Sequence, residues 1–253
     1  MNLPSPLVTL LVVVGAVSAA PSQSTADLIR EGNVYDQRFQ ADKALSLYQQ
    51  AERGDPGSAD LQIRIARQYR HLMTDAGSKS EKIELGKKAV HHSQRAAQLA
   101  PNDPNAQVDL AITYGKMSPL LSGGERVAAS REIRRSVDRT LAIDSRNDTA
   151  WHILGRWQTG MAEITGLKRS LAEVAYGDLP DSSLAEAARS LERARLLNES
   201  RLMHPIELGI VYLKLDRTDE GRKLIEKGLS MPNREKDDPA KKSAGREALS
   251  ALR

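Results

Sequence analysis

Apolar and small side chains recur along this chain at helical spacing, in pairs of stretches punctuated by Pro, Gly and Asn. Leu28, Gly32 and Tyr35 share one helical face, then Ala44, Tyr48 and Ala51 a second, before Pro56 marks a turn. The pattern repeats with Leu61, Ile65, Ala66 and Tyr69, followed by Ala89, Ser93 and Ala96 up to Pro101-Asn102-Asp103-Pro104. A third pair has Val108, Leu110, Ala111 and Tyr114, then Ile133, Val137 and Thr140. A fourth has Trp151, Leu154, Gly155 and Trp157, then Leu184, Ala187, Ala188, Leu191 and Ala194. The fifth has Leu208, Gly209 and Tyr212, then Gly221, Ile225 and Gly228, closed by Pro232. Small residues at matched offsets let two helices approach closely, while Tyr and Leu fill the space around the contact.

The spacing resembles tetratricopeptide repeats, and it implies an all-α fold, a right-handed solenoid of about five helical hairpins with enlarged intra-repeat turns. The second hairpin's connection, His71 to Gly86, runs about 11 residues over the usual length, and its lysines suggest a largely solvated stretch with a turn or two of added helix. The third is stretched by about 10 residues, where Ser118-Pro119 and Ser122-Gly123-Gly124 stop the first helix. The fourth is enlarged by about 20, and its apolar spacing predicts an extra helix over Ala162 to Tyr176 held between the two repeat helices. Residues 26–239 are thus read as the solenoid and 240–253 as a capping helix over its last apolar edge.

Residues 1–20 carry no charged side chain and hold an apolar run from Leu7 to Val17 ahead of Ser18-Ala19-Ala20. This predicts a signal peptide cleaved after Ala19 or Ala20, with an uncleaved membrane anchor as the alternative, then a linker over 21–25. A periplasmic or secreted location follows, membrane-tethered if the segment is retained. The 253 residues include no cysteine, which excludes disulfides, thiolate catalysis and cysteine-ligated metals. Only 4% of residues are aromatic, too few for a base-stacking platform.

A more specific resemblance rests on His152-x-Leu154-Gly155-Arg156-Trp157, Gly166-Leu167, and Gly177-x-Leu179-Pro180 ahead of a helix. These resemble the bacterial relatives of the regulator of microtubule dynamics family, and the stretched turns of the second and third hairpins agree. The aromatic patch that the family carries near the inserted helix is weaker here. The resemblance implies a helical adaptor scaffold that binds a protein or peptide; separately, no nucleophile elbow, HExxH helix or paired-carboxylate setting stands out, so neither an enzyme activity nor a cofactor is expected.

In such a solenoid the first helix of each pair lines the concave face, which places Asn33, Asp36 and Gln37 beside Arg67, Arg70 and His71. Asp109, Lys116, His152 and Arg156 continue that surface. The candidate peptide-binding set is Asn33, Arg67, Arg70, His71, Lys116, His152 and Arg156, with the arginines offering paired donors to an acidic peptide or terminal carboxylate. The competing reading is that these charges solvate the inner face or pair with Asp36 and Asp109. His152 and Trp157 are read as ligand contacts or, more simply, as local core with the inserted helix.

A different class of function is carriage of a phospholipid or other apolar ligand, in a cavity lined by Ile164, Leu167, Leu171, Val174 and Tyr176. Other chemistry lacks the necessary residues. His91-His92 point about 100° apart on a helix and have no third ligand at metal-binding spacing. Leu121-Ser122-Gly123-Gly124-Glu125 matches a transporter ATPase signature, yet no phosphate-binding loop accompanies it. Lys79, Lys82, Lys87, Lys88, Arg95, Arg131, Arg134, Arg135 and Arg139 are interleaved with Glu81, Glu84, Glu132 and Asp138, as on a solvated helix face rather than a nucleic-acid stripe. The net charge of +4 therefore identifies no nucleic-acid partner, and oligomeric state is left open.

Overall fold

The computed structural model describes residues 23–252. The apolar run Leu7 to Val17 and its cleavage positions lie outside the described residues. Among those described there is no strand, and no helix is long and apolar enough to cross a membrane. Five helical hairpins stack in chain order. They are α1 (Thr25–Gln37) with α2 (Ala41–Gly54), α3 (Ala59–Asp75) with α4 (Lys79–Leu99), and α5 (Pro104–Met117) with α6 (Gly123–Ile143). After them come α7 (Asp148–Ala162), the inserted α8 (Gly166–Tyr176) and α9 (Leu184–Leu197), then α10 (Met203–Lys214) with α11 (Thr218–Ser230), and last α12 (Asp238–Ser250).

Six of the twelve α-helix starts among the described residues are written locally. Ser24, Ser58, Ser78, Asp103 and Asn147 each accept a backbone N–H of the first turn, and Ser183 forms a capping box with Glu186. Each hairpin packs internally, its second helix leans on the first helix of the next hairpin, and α3, α5, α7 and α10 are successive neighbours along one face. The small residues sit at the closest contacts. A Cβ on Gly155 would lie 2.6 Å from Leu191 Cγ and 3.0 Å from the Ala187 carbonyl oxygen, so α7 and α9 approach this closely only because residue 155 has no side chain. Tyr48 is fully buried, and its hydroxyl donates to Asn33 Oδ1 at 2.8 Å.

The surplus residues of the second and third hairpins become helix, whereas the fourth hairpin departs from the sequence expectation. In the second hairpin they lengthen the helices, with α4 reaching 21 residues and only Ala76 to Ser78 left between α3 and α4. In the third, α6 also reaches 21 residues, behind a single 3-10 turn at Ser118–Leu120. The insertion in the fourth hairpin does form a helix, but α8 starts four residues later than expected and is not buried between its neighbours. Leu167, Leu171 and Val174 are 75%, 61% and 88% exposed. The expectation that these side chains join the core with Trp157 is therefore corrected, as is their use to line an enclosed apolar cavity: they face outward. Contacts such as Arg131 Nη2 to the Tyr176 carbonyl, at 2.7 Å, hold the end of α8 against α6.

Candidate functional site

The sequence-predicted residues lie on the first helices of successive hairpins, and most of them meet a counter-charge or a polar partner. At the first two hairpins Asn33 Oδ1 accepts from Arg64 Nη1 at 2.5 Å, and Asp36 accepts from Arg67 at 3.2 Å and Gln68 at 2.8 Å. Gln37, on the last turn of α1, makes no hydrogen bond among these. His71 Nδ1 lies 3.8 Å from Asp36 and has no hydrogen-bond partner. Burial pulls the His71 pKa down to about 4, outweighing Asp36, with Lys116, Arg70 and Arg67 adding to the fall. The neutral ring is the form that fits, despite the nearby carboxylate.

Arg70 is placed deeper than expected. Its guanidinium donates to Asp109 Oδ1 at 2.6 Å and to Thr113 Oγ1 at 2.7 Å, and the other Asp109 oxygen accepts from Ser93 at 2.7 Å. Arg70 and Asp109 are both buried, so Arg70 ties α3 to α5 instead of facing a ligand. His152 is likewise buried. Its Nδ1 sits 3.1 Å from His204 Nδ1, while His204 Nε2 sits 2.9 Å from Asp148. One of the two facing Nδ1 atoms must donate to the other, and His152 Nε2 is left unpartnered. Burial holds the His152 pKa well below the usual value. Both residues are thus corrected from groove contacts to interior struts.

Lys116 and Arg156 each pair with an acid of a later element. Lys116 Nζ meets both oxygens of Asp237 at 2.7 Å, and Arg156 lies 3.4 Å from Glu207, which also pairs with Lys241 at 3.4 Å. Burial opposes ionisation of Glu207, but Lys241 and Arg156 outweigh it and lower its pKa.

Asp237 belongs to the segment between α11 and α12, and this segment bridges the solenoid from its last hairpin back to its second. Thr74 donates to Asp237 at 3.2 Å and Lys236 pairs with Asp75 at 2.8 Å. Two residues earlier, Glu235 takes a forked pair of bonds from Arg201, at 2.7 and 3.0 Å. Arg201 also reaches Asp148 at 3.0 Å. Sequence reasoning missed Arg201, Glu235 and Asp237. The available signal was a run of acids, Glu235-Lys236-Asp237-Asp238, inside a basic tail.

Over residues 26–253 the chain matches the family described as Regulator of microtubule dynamics protein 1-3. The chain belongs to that family. Among its relatives, Regulator of microtubule dynamics protein 1 of Bos taurus is 24% identical over 215 residues, which cover 84% of this chain and 65% of the bovine protein. The Mus musculus protein is 22% identical over 229 residues, 90% of this chain and 72% of the relative. The chain thus spans roughly two thirds of these relatives' length. Among solved structures, a thermophilic TPR protein of Thermus thermophilus superposes with TM-score 0.65 at 16% identity, covering 90% of this chain and 100% of that one. The pilF protein of Pseudomonas aeruginosa gives 0.57 at 14%, covering 90% and 91%. These likenesses fix the fold as a tetratricopeptide-type solenoid.

Within this family member, the motif residues that carried the resemblance are mostly architectural. Trp157 is buried and donates Nε1–H to Ser130 Oγ at 2.9 Å, and Arg134 lies over its ring. Three basic residues of α4 and α6 pair with acids on their own helix: Arg134 with Asp138 at 2.8 Å, Arg135 with Glu132 at 2.5 Å, and Lys87 with Glu84 at 2.9 Å. His92 meets Gln62 at 2.7 Å and stacks on Tyr69. Among the described residues no group of three or more His, Asp or Glu is set to hold a metal ion.

Proposed function

We propose that this family member is a non-catalytic scaffold whose concave face binds an acidic stretch of another protein. Arg67, Lys116, Arg156 and Arg201 are the donors, and Asn33 is a backbone contact at the rim. Arg67 and Arg156 keep about half of their side-chain surface in solvent, which leaves donors free beyond their internal pairs. The observation that carries the reading is Lys116 gripping both oxygens of Asp237. A carboxylate on a non-helical stretch of chain is already accommodated on this face. Arginine forks and lysine point charges suit that chemistry, because charge-assisted bonds to carboxylates are stronger than neutral ones. The relatives are named for microtubule dynamics; only the scaffold role is carried from them to this chain.

The test is fluorescence anisotropy with a labelled peptide of alternating Glu and Ser. Wild-type chain is expected to bind it, and R67E/R156E to lose that binding while keeping its far-UV circular dichroism. Equal affinity in the two proteins overturns the assignment of this face. Apolar-ligand carriage around α8 finds no support in the outward Leu167, Leu171 and Val174.

A further inference from the structure

The segment that bridges the hollow is attached differently from the second helices of the hairpins. The second helices are anchored by fully buried apolar side chains, such as Ala44 and Tyr48 on α2 or Ile225 on α11. Of α12, only Asp238 and Gly245 are buried. Asp238 is spent on its own chain, accepting the backbone N–H of Arg234 and Glu235 at 2.7 and 2.8 Å, which fixes the bend that aims Glu235 and Asp237 inward. Gly245 lets α12 rest on Ile225 and Ile206, since a Cβ there would lie 3.0 Å from one and 3.3 Å from the other.

The grip on the bridge is therefore mainly electrostatic, and it stays wet. Glu235 and Asp237 retain 43% and 46% of their side-chain surface, although Arg201 and Lys116 beneath them are about four-fifths covered. Ion pairs of this kind exchange partners readily, because an incoming carboxylate replaces the outgoing one without leaving a buried charge uncompensated. By contrast, a pair with both members buried, such as Arg70 with Asp109, has no route for exchange.

We propose that residues Glu235–Asp237 are a built-in occupant of the binding face. The partner that displaces them carries two carboxylates one residue apart on a non-helical stretch, one for the Arg201 fork and one for Lys116 and Thr74. This inference rests on the reading of the concave face as the binding surface, and it adds the partner's spacing and a self-blocking step. A tethered occupant competes at an effective concentration set by its short linker, so the face engages only partners that match or exceed the chain's own contacts.

The probe is a fluorescein-labelled peptide copying residues 231–241, with a control in which Glu235 and Asp237 are replaced by Gln and Asn. It is titrated onto wild-type chain and onto E235Q/D237N. At least tenfold tighter binding to the variant is expected, and the control peptide is expected to lose it. Because the chain has no cysteine, T74C/D237C joined by a short bifunctional cross-linker gives a second arm that retains the bridge: the cross-linked protein should bind at least tenfold more weakly than the same variant left open. Equal affinity in wild type, variant and cross-linked protein, abolished by R67E/R156E, overturns the self-blocking proposal and leaves the binding face standing. No binding to any of them, with all still folded by circular dichroism, overturns both.

Discussion

Arg70 and Asp109 form a buried ion pair between α3 and α5, 2.6 Å apart, with Thr113 and Ser93 satisfying further donors and acceptors. Removing one member leaves the other charged and dry, which costs about 3–5 kcal/mol in comparable buried pairs. R70A and D109A are therefore expected to lower unfolding free energy by that amount in urea titrations. R67A, which loses only a half-exposed partner of Asp36, should stay within about 1 kcal/mol of wild type. Equal effects of R70A and R67A would show that burial does not separate the two arginines.

Gly209 and Gly221 lie back to back where α10 crosses α11. A Cβ on Gly209 would stand 2.7 Å from the Gly221 carbonyl oxygen, and one on Gly221 would stand 2.8 Å from the Gly209 carbonyl oxygen. Backbone atoms cannot swing aside as a side-chain tip can, so the helices themselves must separate. G209A and G221A are each expected to destabilise by about 1–3 kcal/mol despite the better helix propensity of alanine. An alanine variant with an unchanged thermal midpoint would contradict the packing.

The repeat architecture was legible because its signal is steric: Gly32, Ala44, Ala66, Ala111, Gly155 and Gly209 stand at intervals where only a small side chain lets two helices touch. The lengthened α4 was less legible. Lys79, Glu81, Lys82 and Glu84 suit a solvated loop and the exposed side of a helix equally well, and the Ser78 cap that decides for helix is a single residue. Periodicity marked α8 as amphipathic but gave no information about what lies opposite its apolar side. For the candidate site, repeat geometry supplied the face but not the depth: it set Arg70 and Arg67 side by side, although one is buried and one half-exposed. Nor does local sequence connect Lys116 with Asp237, because that pairing depends on the curvature summed over three hairpins.

Trp157 and Val174 should respond in opposite ways. Trp157 is buried among the helices of the third and fourth hairpins and anchors its indole N–H on Ser130, so W157A leaves a cavity and is expected to cost about 3–5 kcal/mol. Val174 and Leu171 project from α8 into solvent, so L171S/V174S should change stability by no more than about 1 kcal/mol. Thermal denaturation of the two variants side by side checks the contrast. A large loss in L171S/V174S would mean that α8 is covered after all.

His71 makes stability depend on pH below neutrality. Its folded pKa of about 4 lies below the ordinary value of 6.5, because burial disfavours the charged ring. Between those values the unfolded chain binds more protons than the folded one, so stability falls as pH falls. The contribution is complete above pH 6.5, is lost progressively toward pH 4, and amounts to on the order of 3 kcal/mol. His152, also depressed by burial, acts in the same direction. Asp148, held at about 2 by His204 and Arg201 against the cost of burial, acts in a lower window: its share is present above its ordinary 3.8 and lost as pH falls toward 2. Replacing His71 with Gln removes one titrating ring and leaves the others. The unfolding free-energy difference between wild type and H71Q should therefore shift against wild type as pH drops from 7 to 4, and a difference that stays constant over that range would mean His71 is free to protonate in the folded chain.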